Sequence, residues 1–155
     1  MKNIEIQLGK RLKLHKAIFK ILDEKETLNM QKSIQMFDSY IKSLGLKPKG
    51  PLITKNRSLV EDNIIKNEVC LIGQIENTIH QKLEYPYSFE DEFVTGKCLY
   101  AHYSGDKEHI LVAKSKIEVV AYENDIRLTN ELYNVFLEEK EGIITLDVFA
   151  PIYEK

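Results

Sequence analysis

The chain has no apolar run approaching the roughly 20 residues that cross a bilayer, and it has no tryptophan. Its first residues, MKNIEIQLGKRLKLHK, hold no apolar stretch of the kind a secretory signal needs. Soft metal ligands are few: two cysteines, Cys70 and Cys98, and four histidines, His15, His80, His102 and His109. They fall into neither a C-x-x-C nor an H-x-x-x-H pattern. Each cysteine sits in an apolar strand-like run, so buried, reduced thiols without a disulfide are expected. An excess of one charge is missing too. The net charge is −2, with lysines interleaved among acids, which describes a solvated surface and lacks the footprint of a nucleic-acid binder. The expectation is a cytoplasmic protein with no metal, no cofactor and no membrane segment.

What is present suits one folded domain over 1–155. The length of 155 residues, with 43% hydrophobic and 30% charged side chains, is enough to bury a core. Residues 3–8 alternate as a short strand. Residues 11–22 form a longer extended run whose period Lys16 and Lys20 interrupt; a bulge near Lys16–Ala17 restores it. The spacing then predicts a helix over 28–45, with Thr27 as N-cap and Met30, Ile34, Phe37, Ile41 and Leu44 as one apolar stripe. Met36 and Tyr40 flank that stripe, and Gly45 marks its end. A short strand at 52–55, a polar connection at 56–67 and an apolar strand at 68–75 follow. Residues 76–94 read as a connector carrying Tyr85, Tyr87, Phe89 and Phe93.

The pattern then recurs. Residues 96–103 are a strand, 104–106 a turn, and 107–124 a helix. Its expected inner stripe is Ile110, Lys114, Ile117, Ala121 and Asn124, widened by Leu111, Val112 and Val120. Residues 127–152 form two strands joined at Glu141-Gly142. A shift of 81 lays Ala17–Phe19 on Cys98–Tyr100. A shift of 80 lays Phe37 on Ile117, and a shift of 77 lays Leu71 and Ile72 on Val148 and Phe149. Pseudo-repeats of about 10–76 and 94–153 result, each strand-helix-strand-strand.

One pair resists a purely architectural reading. Glu131 and Tyr133 are two apart in a strand, so both side chains point to one sheet face. On a solvent face near the strand end the pair is unremarkable. On an apolar face, a carboxylate beside a phenol is costly for structure alone and suited to gripping a cation. Glu118 lies one turn before Tyr122 on the second helix.

These residues resemble the GyrI-like small-molecule-binding family, also met as the effector-binding domain of multidrug-responsive transcription regulators, a largely bacterial group. The likeness is carried by FDSYIKSLGLKPKGPLI at 37–53, VTGKCLYAHYSGDKEHI at 94–110, NELYNVF at 130–136 and DVFAPI at 147–152. It implies an α+β fold in which duplicated β-α-β-β units form a curved antiparallel sheet, with two helices on one face and a ligand cleft between the units. It implies that Glu131 meets the positive charge of a lipophilic cation, with Tyr133 beside it and Glu118 as a second acid. Phe37, Tyr40 and Tyr122 are the candidate rings, since no tryptophan is available. No helix-turn-helix precedes the first strand, so direct DNA binding is not expected. The implied function is a stand-alone binding protein for lipophilic, often cationic, small molecules, with any protein partner unspecified. Two alternatives stay open: a hydrolase of strained electrophiles using Glu131, and an inhibitor of an enzyme such as DNA gyrase.

Overall fold

A computed structural model describes residues 4–154. In chain order the strands are β1 (Ile6–Lys10), β2 (Lys13–Leu22), β3 (Pro48–Glu61), β4 (Ile64–Ile75), β5 (Tyr87–Val94), β6 (Cys98–Asp106), β7 (Glu131–Lys140) and β8 (Ile143–Pro151). The helices are α1 (Glu24–Thr27), α2 (Met30–Ser43) and α3 (Leu111–Glu123). None is long and apolar enough to cross a membrane, a statement that leaves strand-built barrels aside.

The chain divides into two compact units. One is Lys13–Phe93; the other joins the residues up to Leu12 to those from Val94 onward. In the first unit the strands lie in the order β5-β2-β4-β3, and in the second β1-β6-β8-β7. The two orders correspond strand for strand, so the duplicated β-α-β-β architecture expected above is the one found. Each unit takes its edge strand from the stretch that precedes the other repeat: β1 leads into β2 but pairs with β6, and β5 leads into β6 but lies beside β2.

In the first unit, α2 packs Phe37 and Ile41 onto Ile18, Leu22, Leu71 and Ile75 of the sheet. Gly73 lets the helix come close: a Cβ there would sit 3.2 Å from Phe37 Cε2 and 3.3 Å from Ile41 Cδ1. Lys16 adopts φ 51°, a left-handed residue just before the paired stretch that opens at Ala17↔Gln74. Beyond it Ile18, Lys20 and Leu22 form a buried row. Lys20 is buried with them because its ammonium meets Glu26 at 2.7 Å and lies 5.5 Å from the centre of the Tyr87 ring. Burial lowers its proton affinity, but Glu26 and Tyr87 together outweigh that and raise it above the usual 10.5.

Several expectations need correction. Asn29, whose side chain accepts from Lys32 N at 3.2 Å, caps α2; Thr27 ends the separate turn α1. The connection at 56–67 is the far end of one long hairpin, paired from Ile53↔Ile72 to Glu61↔Ile64 around Asp62 and Asn63, both at positive φ. The connector at 76–94 contains β5. Residues 104–106 continue β6, followed by a 3-10 turn at Lys107–His109.

In the second unit α3 buries Ala113, Ile117 and Ala121 against Leu99, Ala101, Leu146, Val148 and Ala150. Lys114, expected inside, is exposed, as is Leu111 at 69%. Small alanines take the inner positions because they let the helix sit close to the sheet. The β7–β8 hairpin turns at Glu141 and Gly142, both at positive φ. Its register shifts between Phe136 and Glu138, which turns Leu137 outward.

Candidate functional site

Strand alternation sorts the second unit's sheet into two faces. Leu99, Ala101, Leu146, Val148 and Ala150 meet α3. Their neighbours therefore point the other way: Cys98, Tyr100 and His102 from β6, Asp147 and Phe149 from β8, and Glu131, Tyr133 and Val135 from β7. Cross-strand register lines them up. Tyr100, Phe149 and Tyr133 form one row, and His102, Asp147 and Val135 the next. Among the described residues no helix of this unit covers that face, yet Tyr133 is 2% exposed and Phe149 8%.

The row of three rings is an apolar strip, with Tyr100 and Phe149 centroids 5.0 Å apart and their planes at 48°. Glu131 and Asp147 stand beyond its opposite sides, about 13 Å apart along the strands at the usual rise. Tyr133 donates its hydroxyl to Glu131 Oε2 at 3.3 Å. Tyr100 donates to Asp147 Oδ1 at 2.6 Å, and His102 Nδ1 lies 2.8 Å from the same atom. Burial, reinforced by the bond to Asp147, pushes the Tyr100 hydroxyl well above the usual phenol range. Tyr100 thus stays a neutral donor to Asp147. The Lys10 ammonium lies 4.1 Å from the centre of the Tyr100 ring and borders the strip.

Nucleophilic chemistry finds little here. Burial pushes the Cys98 thiol up, against opposing bonds from Thr95 and Leu12, and pushes Cys70 to about 11. Neither offers a thiolate at neutral pH, and both are unbonded to each other. Among the described residues no group of three His, Cys, Asp or Glu is placed to hold a metal ion.

The structure brings Glu131 and Tyr133 together and, within their unit, sets Glu118 and Tyr122 apart from them. Glu118 is exposed on α3 and Tyr122 is 87% exposed there, across the thickness of the sheet. Phe37 is packed between α2 and its own sheet. Tyr40 stacks on Tyr87, with centroids 3.6 Å apart and planes at 8°, in the same helix-facing layer. A hollow of about 380 Å³ in that unit, lined by Leu44, Leu46, Ile79, His80 and Leu83 among others, includes none of the candidates. The sequence reading overlooked Tyr100, His102, Asp147 and Phe149. The available signal was Asp147, a lone acid in phase with Phe149 inside a mostly apolar strand.

Comparison with known proteins identifies relatives by shape alone. No protein-family model matches the chain, and no curated protein does. Among solved structures, EcmrR in a complex with DNA superimposes with a TM-score of 0.67 at 13% identity, over 98% of this chain and 58% of that one. This chain therefore spans little more than half of EcmrR in that complex. The EcmrR C-terminal domain, taken by itself, gives 0.64 at 9% identity over 99% and 98%. SAV2435, solved bound to tetraphenylphosphonium, gives 0.55 at 6% identity over 98% and 94%. A hydrolase encoded by lin2189 of Listeria innocua gives 0.60 at 8% over 97% and 91%. At such identities the likeness establishes the fold, and that fold is consistent with the GyrI-like one.

Proposed function

We propose that this chain binds lipophilic cations on the sheet face that carries Glu131, Tyr133, Phe149, Tyr100 and Asp147. One observation carries the reading: a strip of three rings with a carboxylate beyond each side, on a face no helix of its unit covers. Rings and a desolvated acid suit an organic cation, with about 0.5–2 kcal/mol from each cation–π contact. Carboxylates add charge complementarity and reject anions. Apolar walls with few directional bonds favour breadth over selectivity. The tetraphenylphosphonium held by SAV2435, a protein of the same fold, is a ligand of this chemistry.

Calorimetry with tetraphenylphosphonium and with the neutral, similarly shaped triphenylphosphine oxide tests the reading. Glu131→Gln keeps volume and hydrogen-bonding reach but removes the charge. It is expected to cost the cation about 1–3 kcal/mol and the neutral compound little. Tyr133→Phe keeps the ring and costs less for both. Unchanged cation affinity in Glu131→Gln removes Glu131 from the site. The likeness to the Listeria hydrolase supports a second reading, in which Glu131 orients water for attack on a strained electrophile. Chromatography of the recovered ligand separates the two, since a binding protein returns it unchanged.

A further inference from the structure

Asp147 has two partners of different kinds on one oxygen. Tyr100 is a neutral donor at 2.6 Å. His102 reaches the same atom at 2.8 Å with 52% of its side chain exposed. An imidazole changes charge across the neutral-to-mildly-acid range, whereas a half-buried phenol bonded to a carboxylate does not. Of these two described partners of Asp147, His102 is the one that can carry a charge.

We propose that His102 is a specificity-determining residue: neutral, it leaves Asp147 as an anion that favours a cationic ligand; protonated, it cancels that charge and the preference for cations falls. The inference rests on the cation-binding reading above. Asp147 touches the ligand's side of the face, and His102 acts through it as a positioning residue. Among the described residues, the groups around His102 include Tyr100 and Ser104 on its own strand, Asp147 and Thr145 on β8, and Glu138, the β7 neighbour of Thr145. On β1, Glu5 stands beside it by continuation of the Ile6↔Ala101 register, with Gln7 one step along. Lys10 lies over the Tyr100 ring. Val135, the β7 neighbour of Asp147, is uncharged. Binding and protonation then oppose each other, and linkage makes the opposition reciprocal: a bound cation expels the imidazole proton.

Tetraphenylphosphonium carries a fixed charge, so any pH dependence of its binding belongs to the protein. Titrations at pH 8.0 and pH 5.5 are expected to show wild-type affinity falling about fivefold on acidification, the low end of coupling between groups in one molecule. His102→Gln retains a donor for Asp147 and is expected to bind at both pH values as the wild type does at pH 8.0. Asp147→Asn is expected to be weak and flat. The neutral phosphine oxide is expected to show no slope with any of them. A fivefold fall that survives in His102→Gln overturns the inference while leaving the cation site standing. Absence of tetraphenylphosphonium binding at either pH removes the site and the inference together. A second measurement needs no variant to fold: wild-type calorimetry at pH 6.5 in two buffers of different ionisation enthalpy. Net proton release on binding is expected; none, or uptake, overturns the inference.

Discussion

The two units share a strand order and differ on the face turned from their helices. Register supplies the correspondence. Phe19, Ile72 and Ile53 lie side by side in one unit where Tyr100, Phe149 and Tyr133 lie in the other. The next rows are Ile21, Cys70 and Lys55 against His102, Asp147 and Val135. One face is mainly aliphatic, the other aromatic and acidic. A duplicated scaffold has thus kept its hydrogen-bonding plan while the chemistry collects on one copy. The helix sides differ in a compensating way. Phe37 sits over Gly73 in one unit, whereas Ile117 and two alanines face the unit holding Ala150 at the equivalent place. A large side chain on the helix goes with a missing one on the sheet.

The strongest way to break the comparison is to empty each core separately. Leu71 and Leu146 are both 0% exposed, so Leu71→Ala and Leu146→Ala are each expected to cost about 2–5 kcal/mol in urea unfolding. Equal midpoints in a single transition show units that unfold as one; two transitions, with only one moved, show independent units.

A smaller effect tests a polar group that one unit buries against its helix and the other does not. Glu26→Gln leaves the Lys20 ammonium buried with a neutral partner and is expected to cost about 1–2 kcal/mol, reduced because Glu26 is partly solvated. The sign of the pH dependence follows from the raised proton affinity of Lys20. Its contribution is complete below the ordinary lysine value of 10.5 and is lost as pH climbs past it. Alkaline denaturation followed by circular dichroism is expected to show that loss in the wild type and less of it in Glu26→Gln.

The smallest effect copies one unit into the other. Gly73→Ala installs the residue found at Ala150 and crowds Phe37 and Ile41, costing about 1 kcal/mol. Adding Phe37→Ile, the residue at Ile117, is expected to recover part of it. A double-mutant cycle showing strict additivity denies the compensation.

Much of this plan was legible in the chain. The stripe from Met30 to Leu44 located α2 because its apolar residues are large and regularly spaced, and Glu141-Gly142 located the final turn. The rest failed for physical reasons. The tip of the β3–β4 hairpin exposes Val60, Ile64 and Ile65, so neither face shows the burial alternation that marks a strand. The stripe of α3 was misphased because Ala113 carries a buried position with little hydrophobic signal. Glu131 and Tyr133 were found together because their relation is local. Tyr100, His102 and Asp147 come from strands separated by α3 and β7, and only cross-strand register joins them.

The exchange of edge strands sets a timetable for the chain as it is made. Residues 13–93 contain the first unit, so all of it is synthesised before β6. Strand β1 is synthesised before all of that, yet its partner β6 emerges only after residues 11–97 have been added. At ordinary elongation rates that is roughly 4–17 s. For that interval a segment with Leu8 and a bare row of amides has no native neighbour. A newborn copy is therefore most open to chaperone capture, or to pairing with another nascent chain, at β1.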